Sequence, residues 1–383
     1  MGFLTLLLYP ILKFCKKTIE LISFGINETV KMNSEQNNPL KKIKTSRVIL
    51  PTLIGIGVVA WMLTKNFDVK AFDAVVFTKK SIFWLAIAAI LMLTRDLGYV
   101  IRIKILTGNR LSWVQAIRII FLWEFTSAIT PSAIGGTSVA ILYVNKEGIT
   151  VGRSSAVVMA TSLLDELYFI IMFPVLLLFI NNSDLFAIGG GMSFKNPFFV
   201  AAVVGYGLKF IWVLVITYGL FVNPRGLKWL ILLIFKLPVL RRWRYGASKA
   251  GTDIIDSSKE LKSQPFGFWL KSFGATFLSW TSRYWVVNAL FLAFFSVNNH
   301  FLLFARQLVM WIMMLVSPTP GGSGFTEYVF AEYLGDFLPF AGVAVLMALL
   351  WRLFTYYPYL FIGVYLFPKW IKMKFGSDSK NLD

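Results

Sequence analysis

The chain has 383 residues, of which 57% are hydrophobic, 16% aromatic and only 15% charged, with a mean hydropathy of +0.68. Soluble domains carry about 25% charged residues and disordered chains far fewer apolar ones, so both classes are excluded. The net charge of +19 would suggest nucleic acid in a soluble protein, but here its placement along the chain reads as topology, and no nucleic-acid partner is expected. Cys15 and His300 are the sole residues of their kinds, which removes an intrachain disulfide, Cys-rich metal sites and His-based triads. No phosphate-binding loop occurs either; no metal and no cofactor are expected, and no catalytic residue is assigned.

Residues 3–14 are apolar but too short to span, and with Lys13, Lys16 and Lys17 behind them they read as an interfacial anchor. Apolar segments follow at 48–63, 81–101, 112–130, 132–144, 154–180, 197–222, 266–296, 301–316, 325–334 and 339–367. A crossing helix needs about 20 residues, so 132–144, 301–316 and 325–334 are short. Two breakers interrupt the pattern: residues 131–137, with Pro131, Gly135 and Gly136, and residues 317–324, with Pro318, Pro320, Gly321, Gly322 and Gly324. Residues 227–262 hold a second interfacial candidate, Leu230–Phe235, followed by Arg241, Arg242 and Arg244.

Lys and Arg crowd 1–47, 223–265 and the tail from 368, and are nearly absent from 181–196 and 297–300. The positive-inside rule places the first three in the cytoplasm and the last two outside. Parity then requires 112–144 to enter and leave from the cytoplasm and 301–334 to enter and leave from outside. The expected fold class is therefore all-α: a polytopic integral membrane bundle, an inverted repeat with two Pro/Gly-broken re-entrant or discontinuous helix pairs. The domains are an N-terminal cytoplasmic or interfacial segment 1–45, a membrane domain 46–370 carrying the basic loop 223–265, and a cytoplasmic tail 371–383.

Charge inside spans is costly, about 2.5–3.5 kcal/mol per group on insertion scales, and so marks function or pairing. Asp165 and Glu166 lie at the centre of one span, and Lys209, Arg283 and Arg352 lie near the centres of three others. The acids are expected to counterbalance Arg283 and Arg352, either as structural pairs or while those cations await an anionic headgroup. Arg283, Arg306 and Arg352 suit phosphate better than Lys209, because a guanidinium presents a planar fork. Arg95 and Asp96 are sequence neighbours that do not share a helix face, so each is expected to find another partner. Arg102, seven residues beyond Arg95 and on the same face, reads as a snorkelling anchor or, alternatively, as part of a headgroup entry point. A half-helix begun after Gly136 or Gly324 would aim free N–H groups at the midplane, or the small residues serve tight packing. Glu124 and Glu327 flank the two breaks as counter-charges or proton-coupling groups. The aromatic residues, Trp280, Tyr356 and Tyr359 among them, read as interface formers.

The stretch Arg110–Glu166, with Pro131, Gly135, Gly136, Arg153 and Asp165, and the stretch Ser317–Glu327 resemble the lysylphosphatidylglycerol synthase transmembrane (flippase-like) family. Pro320–Glu327, Pro-Gly-Gly-x-Gly-x-x-Glu, is the most specific part, and the resemblance covers roughly residues 45–370. This family includes the membrane half of bacterial multiple peptide resistance factors. It implies a multi-pass protein of the prokaryotic cytoplasmic membrane, both termini cytoplasmic, that moves an anionic or zwitterionic phospholipid between leaflets by alternating access. The candidate headgroup site, read from charge within the spans, comprises Arg283, Arg306, Arg352, Asp165, Glu166, Glu327, Arg95 and Asp96, with the Pro/Gly positions as hinges. The resistance factors also carry a soluble aminoacyl-transferase domain, for which this chain has no room, so lysine transfer is not expected. The alternative is a membrane-embedded enzyme or accessory subunit acting on lipid-linked phosphate. Membrane lipids are the expected partners, together with a homo-oligomer or a separate lipid-modifying enzyme.

Overall fold

The computed structural model describes residues 74–129, 132–186, 191–234, 244–314 and 325–375. The segment 48–63, the anchor 3–14, the arginines at 241 and 242, and Pro131, Pro318, Pro320, Gly321, Gly322 and Gly324 lie outside these residues. No strand occurs among the described residues; the protein is all-α.

Helix α1, Lys79–Leu106, opens on a capping box in which Thr78 and Ser81 exchange backbone and side-chain hydrogen bonds. A hairpin follows, α2 (Trp113–Ile129) and α3 (Ser132–Lys146). Next comes α4, Val151–Phe179. Helix α5, Pro197–Thr217, is capped by the Asn196 side chain and ends in a π-helical turn, Tyr218–Val222. The basic stretch that follows is helical: α6 (Pro224–Ile234) and α7 (Arg244–Lys262). Helix α8, Phe266–Phe294, is succeeded by the short pair α9 (His300–Met313) and α10 (Phe325–Leu334). The expected last span, 339–367, is two helices, α11 (Ala341–Thr355) and α12 (Tyr357–Phe375). Pro358 explains the division: it lacks a donor N–H and disfavours helical geometry at the residue before it.

Among the described residues, four helical stretches are long and apolar enough to cross a bilayer: Lys79–Leu106, Val151–Phe179, Phe198–Val222 and Ala341–Lys374. Helix α8 has 29 residues, as many as α4. It is more polar because Ser272, Thr276, Ser279, Ser282 and Asn288 sit on its buried face. At 1.5 Å per residue, α4 and α8 are each about 43 Å long against a hydrocarbon core of about 30 Å. The described residues of α10, Phe325–Leu334, cover about 15 Å.

Helices α1 and α8 run antiparallel along a close seam. Phe77 packs on Phe294, the Ser279 hydroxyl donates to the Arg95 carbonyl (2.9 Å), and Arg102 donates to Thr276 (3.1 Å). Gly98 permits the approach: a Cβ there would lie 2.2 Å from Ser279 Oγ and 2.8 Å from the Ala275 carbonyl. Gly136 does the same inside the first hairpin, where a Cβ would meet Ser127 Oγ at 1.9 Å. Helix α3 already begins at Ser132 and runs through Gly135 and Gly136. No half-helix starts after Gly136, and packing through small residues is the role this position has. The corresponding expectation at Gly324 lies outside the described residues; α10 is described from Phe325 onward.

Two apolar cores occupy opposite ends of the bundle. One gathers Met92, Tyr168, Phe169, Tyr284, Phe291, Leu308 and Phe330. The other gathers Tyr99, Ile103, Leu106, Ile119, Tyr143, Leu164 and Trp370. At the second, basic end, Glu147 is clamped by Arg118 (3.0 Å) and Lys374 (2.8 Å), and Glu260 of α7 pairs with Arg153. Exposed Ile82, Phe83, Ile90 and Leu93 of α1 and Val204, Leu208, Ile211 and Trp212 of α5 supply apolar outer faces.

Candidate functional site

Between the two cores lies a layer of charge. Asp165 and Trp280 are the central residues of α4 and α8, and the Trp280 indole donates to Asp165 Oδ1 at 2.7 Å. Arg102 Nη1 donates to the same oxygen at 2.5 Å, and Nη2 reaches Oδ2 at 3.3 Å. Arg102 is buried, so it is not a snorkelling anchor. Its guanidinium lies 4.8 Å from the Tyr99 ring centroid, and that of Arg95 lies 4.7 Å from the same ring. The spacing of seven that puts both arginines on one face of α1 thus makes them flank one tyrosine.

Arg95 is 1% exposed and holds two carboxylates, Glu124 of α2 at 2.6 Å and its neighbour Asp96 at 2.9 Å. The expectation that Arg95 and Asp96 pair elsewhere is therefore half right. Adjacent residues leave a helix in different directions, but Tyr359 of α12 closes the gap. Its hydroxyl accepts from Arg95 Nη1 (2.8 Å) and reaches both Asp96 oxygens at 2.8 Å.

Asp165 and Glu166 do not neutralise Arg283 and Arg352. Glu166 takes Lys209 at 2.6 Å, beside the Phe169 ring. Arg352 takes Glu327 of α10 at 2.7 Å, both groups buried. Helical rotation decides these partners, and it leaves Arg283 against two indoles in mutual contact: Trp311, 4.7 Å from the ring centroid, and Trp280, at 5.6 Å. Arg283 pairs with no carboxylate among the described residues.

Arg306 falls outside this layer. Its guanidinium is committed to Asp336 (3.0 Å) and to the carbonyls of Asp184 (2.8 Å) and Tyr333 (3.3 Å), near the other end of α10. Each of its three nitrogens serves the fold, which makes it a clamp between α9, α10 and the turn after α4.

The two hairpins approach the layer from opposite ends. In the first, Thr126 meets Tyr143 (2.5 Å) and Gln115 meets Glu147 (3.2 Å), so α2 and α3 return toward the basic end. In the second, α9 descends from His300 beside Asn288 to Trp311 beside Trp280, and α10 brings Glu327 to Arg352. They converge at the α11–α12 break: the Tyr356 hydroxyl donates to the Ala128 carbonyl near the end of α2 (3.0 Å), while its ring lies 4.6 Å from the Arg352 guanidinium. Sequence reading took Trp280 and Tyr359 for interface formers, whereas both are buried at the charged layer, and it did not single out Trp311. Aromatic residues abound in this chain, and nothing local separates these three from the rest.

Apolar helices with ionised groups at mid-length, packed in one bundle, define a multi-pass integral membrane protein. Residues 48–363 match the family described as the lysylphosphatidylglycerol synthase TM region, and the chain belongs to that family. Among curated proteins it is similar to a UPF0104 membrane protein of Archaeoglobus fulgidus, 28% identical over 294 residues, which cover 73% of this chain and 84% of the relative. No solved structure matches the chain.

Proposed function

We propose that this protein moves an anionic or zwitterionic phospholipid between leaflets, the headgroup crossing at the mid-depth charged layer while the acyl chains stay in lipid. One observation carries the reading. Arg283 is the layer's cation without a carboxylate among the described residues, set against two neighbouring indoles and partly exposed. A phosphate would supply the missing counter-charge through the guanidinium fork, and the indoles would exclude water around it.

The arrangement of the hairpins supports alternating access. A long helix, two short ones and a long stretch occur twice, as α1–α4 and as α8–α12, and the leading helices α1 and α8 are antiparallel. An inverted repeat of this kind lets either half rock against the other around a fixed midplane site. The basic end, with Arg110, Arg118, Arg153 and Lys374, is the cytoplasmic face by the positive-inside rule. The bilayer is the prokaryotic cytoplasmic membrane. The family name points to phosphatidylglycerol and its derivatives as the lipid class.

The test is reconstitution in phosphatidylcholine vesicles containing NBD-phosphatidylglycerol, with dithionite reporting the outer-leaflet fraction. Wild-type protein should speed equilibration over protein-free vesicles, and Arg283→Gln should slow it about tenfold, the loss of one charge-assisted hydrogen bond of about 1.5 kcal/mol. Arg110→Gln, at an exposed position on the basic end, should match wild type. No acceleration by the wild type overturns the lipid reading; equal rates for Arg283→Gln remove Arg283 from it.

A further inference from the structure

The charges of the layer balance in number but not in place. Among the described residues it holds Arg95, Arg102, Lys209, Arg283 and Arg352 against Asp96, Glu124, Asp165, Glu166 and Glu327. Arg102, Lys209 and Arg352 each take one of these acids. Arg95 holds two, and Arg283 holds none of them. The layer is neutral while Arg283 is empty and gains a net negative charge when an anion binds there. Between two apolar cores such a charge is expensive, because little solvent screens it.

We propose that a proton accompanies each anionic headgroup, carried on the Asp96–Glu124 pair, so that the protein is a proton-coupled carrier of anionic lipid. This rests on the lipid reading above and adds its driving force. The proton adds to one carboxylate oxygen of the pair when the headgroup reaches Arg283 and leaves from the same oxygen on release; no bond of the lipid is made or broken. Two carboxylates sharing one guanidinium are the place where a proton relieves most repulsion.

The surroundings suit this role. From α1 the Asp96–Glu124 pair, which joins α1 to α2, is held by Arg95, with Tyr99 and then Arg102 stacked beyond that guanidinium, and from α12 it is faced by Tyr359. From α8 the Trp280 ring packs on Tyr99, with its indole on Asp165 of α4 and Arg283 against it. Arg352 of α11 is held by Glu327 of α10. Tyr359 sits 2.8 Å from either Asp96 oxygen and can turn from donor to acceptor when Asp96 is protonated, with no heavy atom moved. Arg95 Nε is buried with no acceptor among the described residues, a donor left over for a water at this cluster.

Two measurements test the coupling on the purified protein. In weakly buffered dodecyl maltoside, dioctanoyl phosphatidylglycerol is titrated in while heat reports binding and a pH indicator reports protons. About one proton should be taken up per lipid bound, and none with zwitterionic dioctanoyl phosphatidylcholine. Binding of the anionic lipid without proton uptake overturns the coupling and leaves the lipid reading standing. In vesicles, a step of one pH unit should enrich NBD-phosphatidylglycerol about tenfold in the leaflet facing the alkaline side. Wild-type protein that equilibrates the probe but ignores the gradient overturns the coupling in the same way. Absence of both binding and equilibration overturns the lipid reading and the coupling with it. Asp96→Asn and Glu124→Gln should each equilibrate the probe without proton uptake; uptake retained in both places the proton elsewhere and overturns the assignment. If neither variant folds, the wild-type stoichiometry still decides.

Discussion

Asp165→Asn separates charge from shape at the centre of the bundle. The amide keeps an acceptor for the Trp280 indole, now 2.7 Å from Asp165 Oδ1, and removes only the negative charge. What remains is Arg102, 5% exposed in its side chain, with Thr276 as its other hydrogen-bond partner. Breaking a buried ion pair from one side costs about 3–5 kcal/mol. Asp165 keeps 23% of its side-chain exposure, so water can approach, and the expected loss is the lower figure, about 3 kcal/mol, or about two decades in the folding equilibrium. Arg102→Met should cost a similar amount by stranding the carboxylate. The double variant leaves neither charge and should return to within about 1 kcal/mol of wild type, because a neutral pair of similar volume is often no less stable. The assay is unfolding in dodecyl maltoside with a rising fraction of dodecyl sulfate, followed by near-ultraviolet circular dichroism. If the double variant loses the sum of the two single losses, the charges do not act as a pair and the reasoning fails.

Three further outcomes follow from other parts of the structure. Gly98→Ala should destabilise by about 1–3 kcal/mol through overpacking, and Ser279→Gly should restore only part of this, since the Ala275 carbonyl would still lie 2.8 Å from the new Cβ; complete restoration in the unfolding assay would show that the backbone contact does not matter. Tyr356→Phe removes the hydrogen bond to the Ala128 carbonyl and should cost about 1 kcal/mol, with faster amide exchange confined to the end of α2; unchanged exchange there would deny the docking role. At the basic end, burial tends to raise the Glu147 carboxyl, but the hydrogen bond and charge of Lys374 and those of Arg118 outweigh it and hold it below the usual carboxylate range. A depressed carboxyl stabilises fully above its unfolded value, about 4.3, and loses that contribution as the pH falls through the folded one. Glu147→Gln should therefore be less stable by about 2 kcal/mol at neutral pH, with the gap to wild type closing below about pH 4; a gap independent of pH would refute the pairing.

The helical class and the positions of the helices were legible in the residues, because hydropathy and Pro/Gly act locally along the chain. The depth of the charges was legible for the same reason: residue 165 is central in any helix drawn through 154–180. The division of 339–367 was missed although Pro358 marks it, since an unbroken apolar run outweighed one proline in that reading. Arg306 was misread because its commitments, to Asp184 and Tyr333 carbonyls and to Asp336, are made by distant backbone that no motif announces.

Sequence alone established that this protein is an apolar helical bundle with acids and bases at mid-depth, since burying a charge in hydrocarbon is costly wherever the helix lies. Only the tertiary structure decided which base meets which acid. Arg102 and Asp165 stand 63 residues apart and Arg95 and Tyr359 264 apart, and a rotation of either helix by one residue's 100° would exchange their partners. That rotation is set by close approaches such as Gly98 on Ser279 and by aromatic packing around Trp280. It leaves Arg283 facing two indoles, and Arg95 with one acid more than it needs.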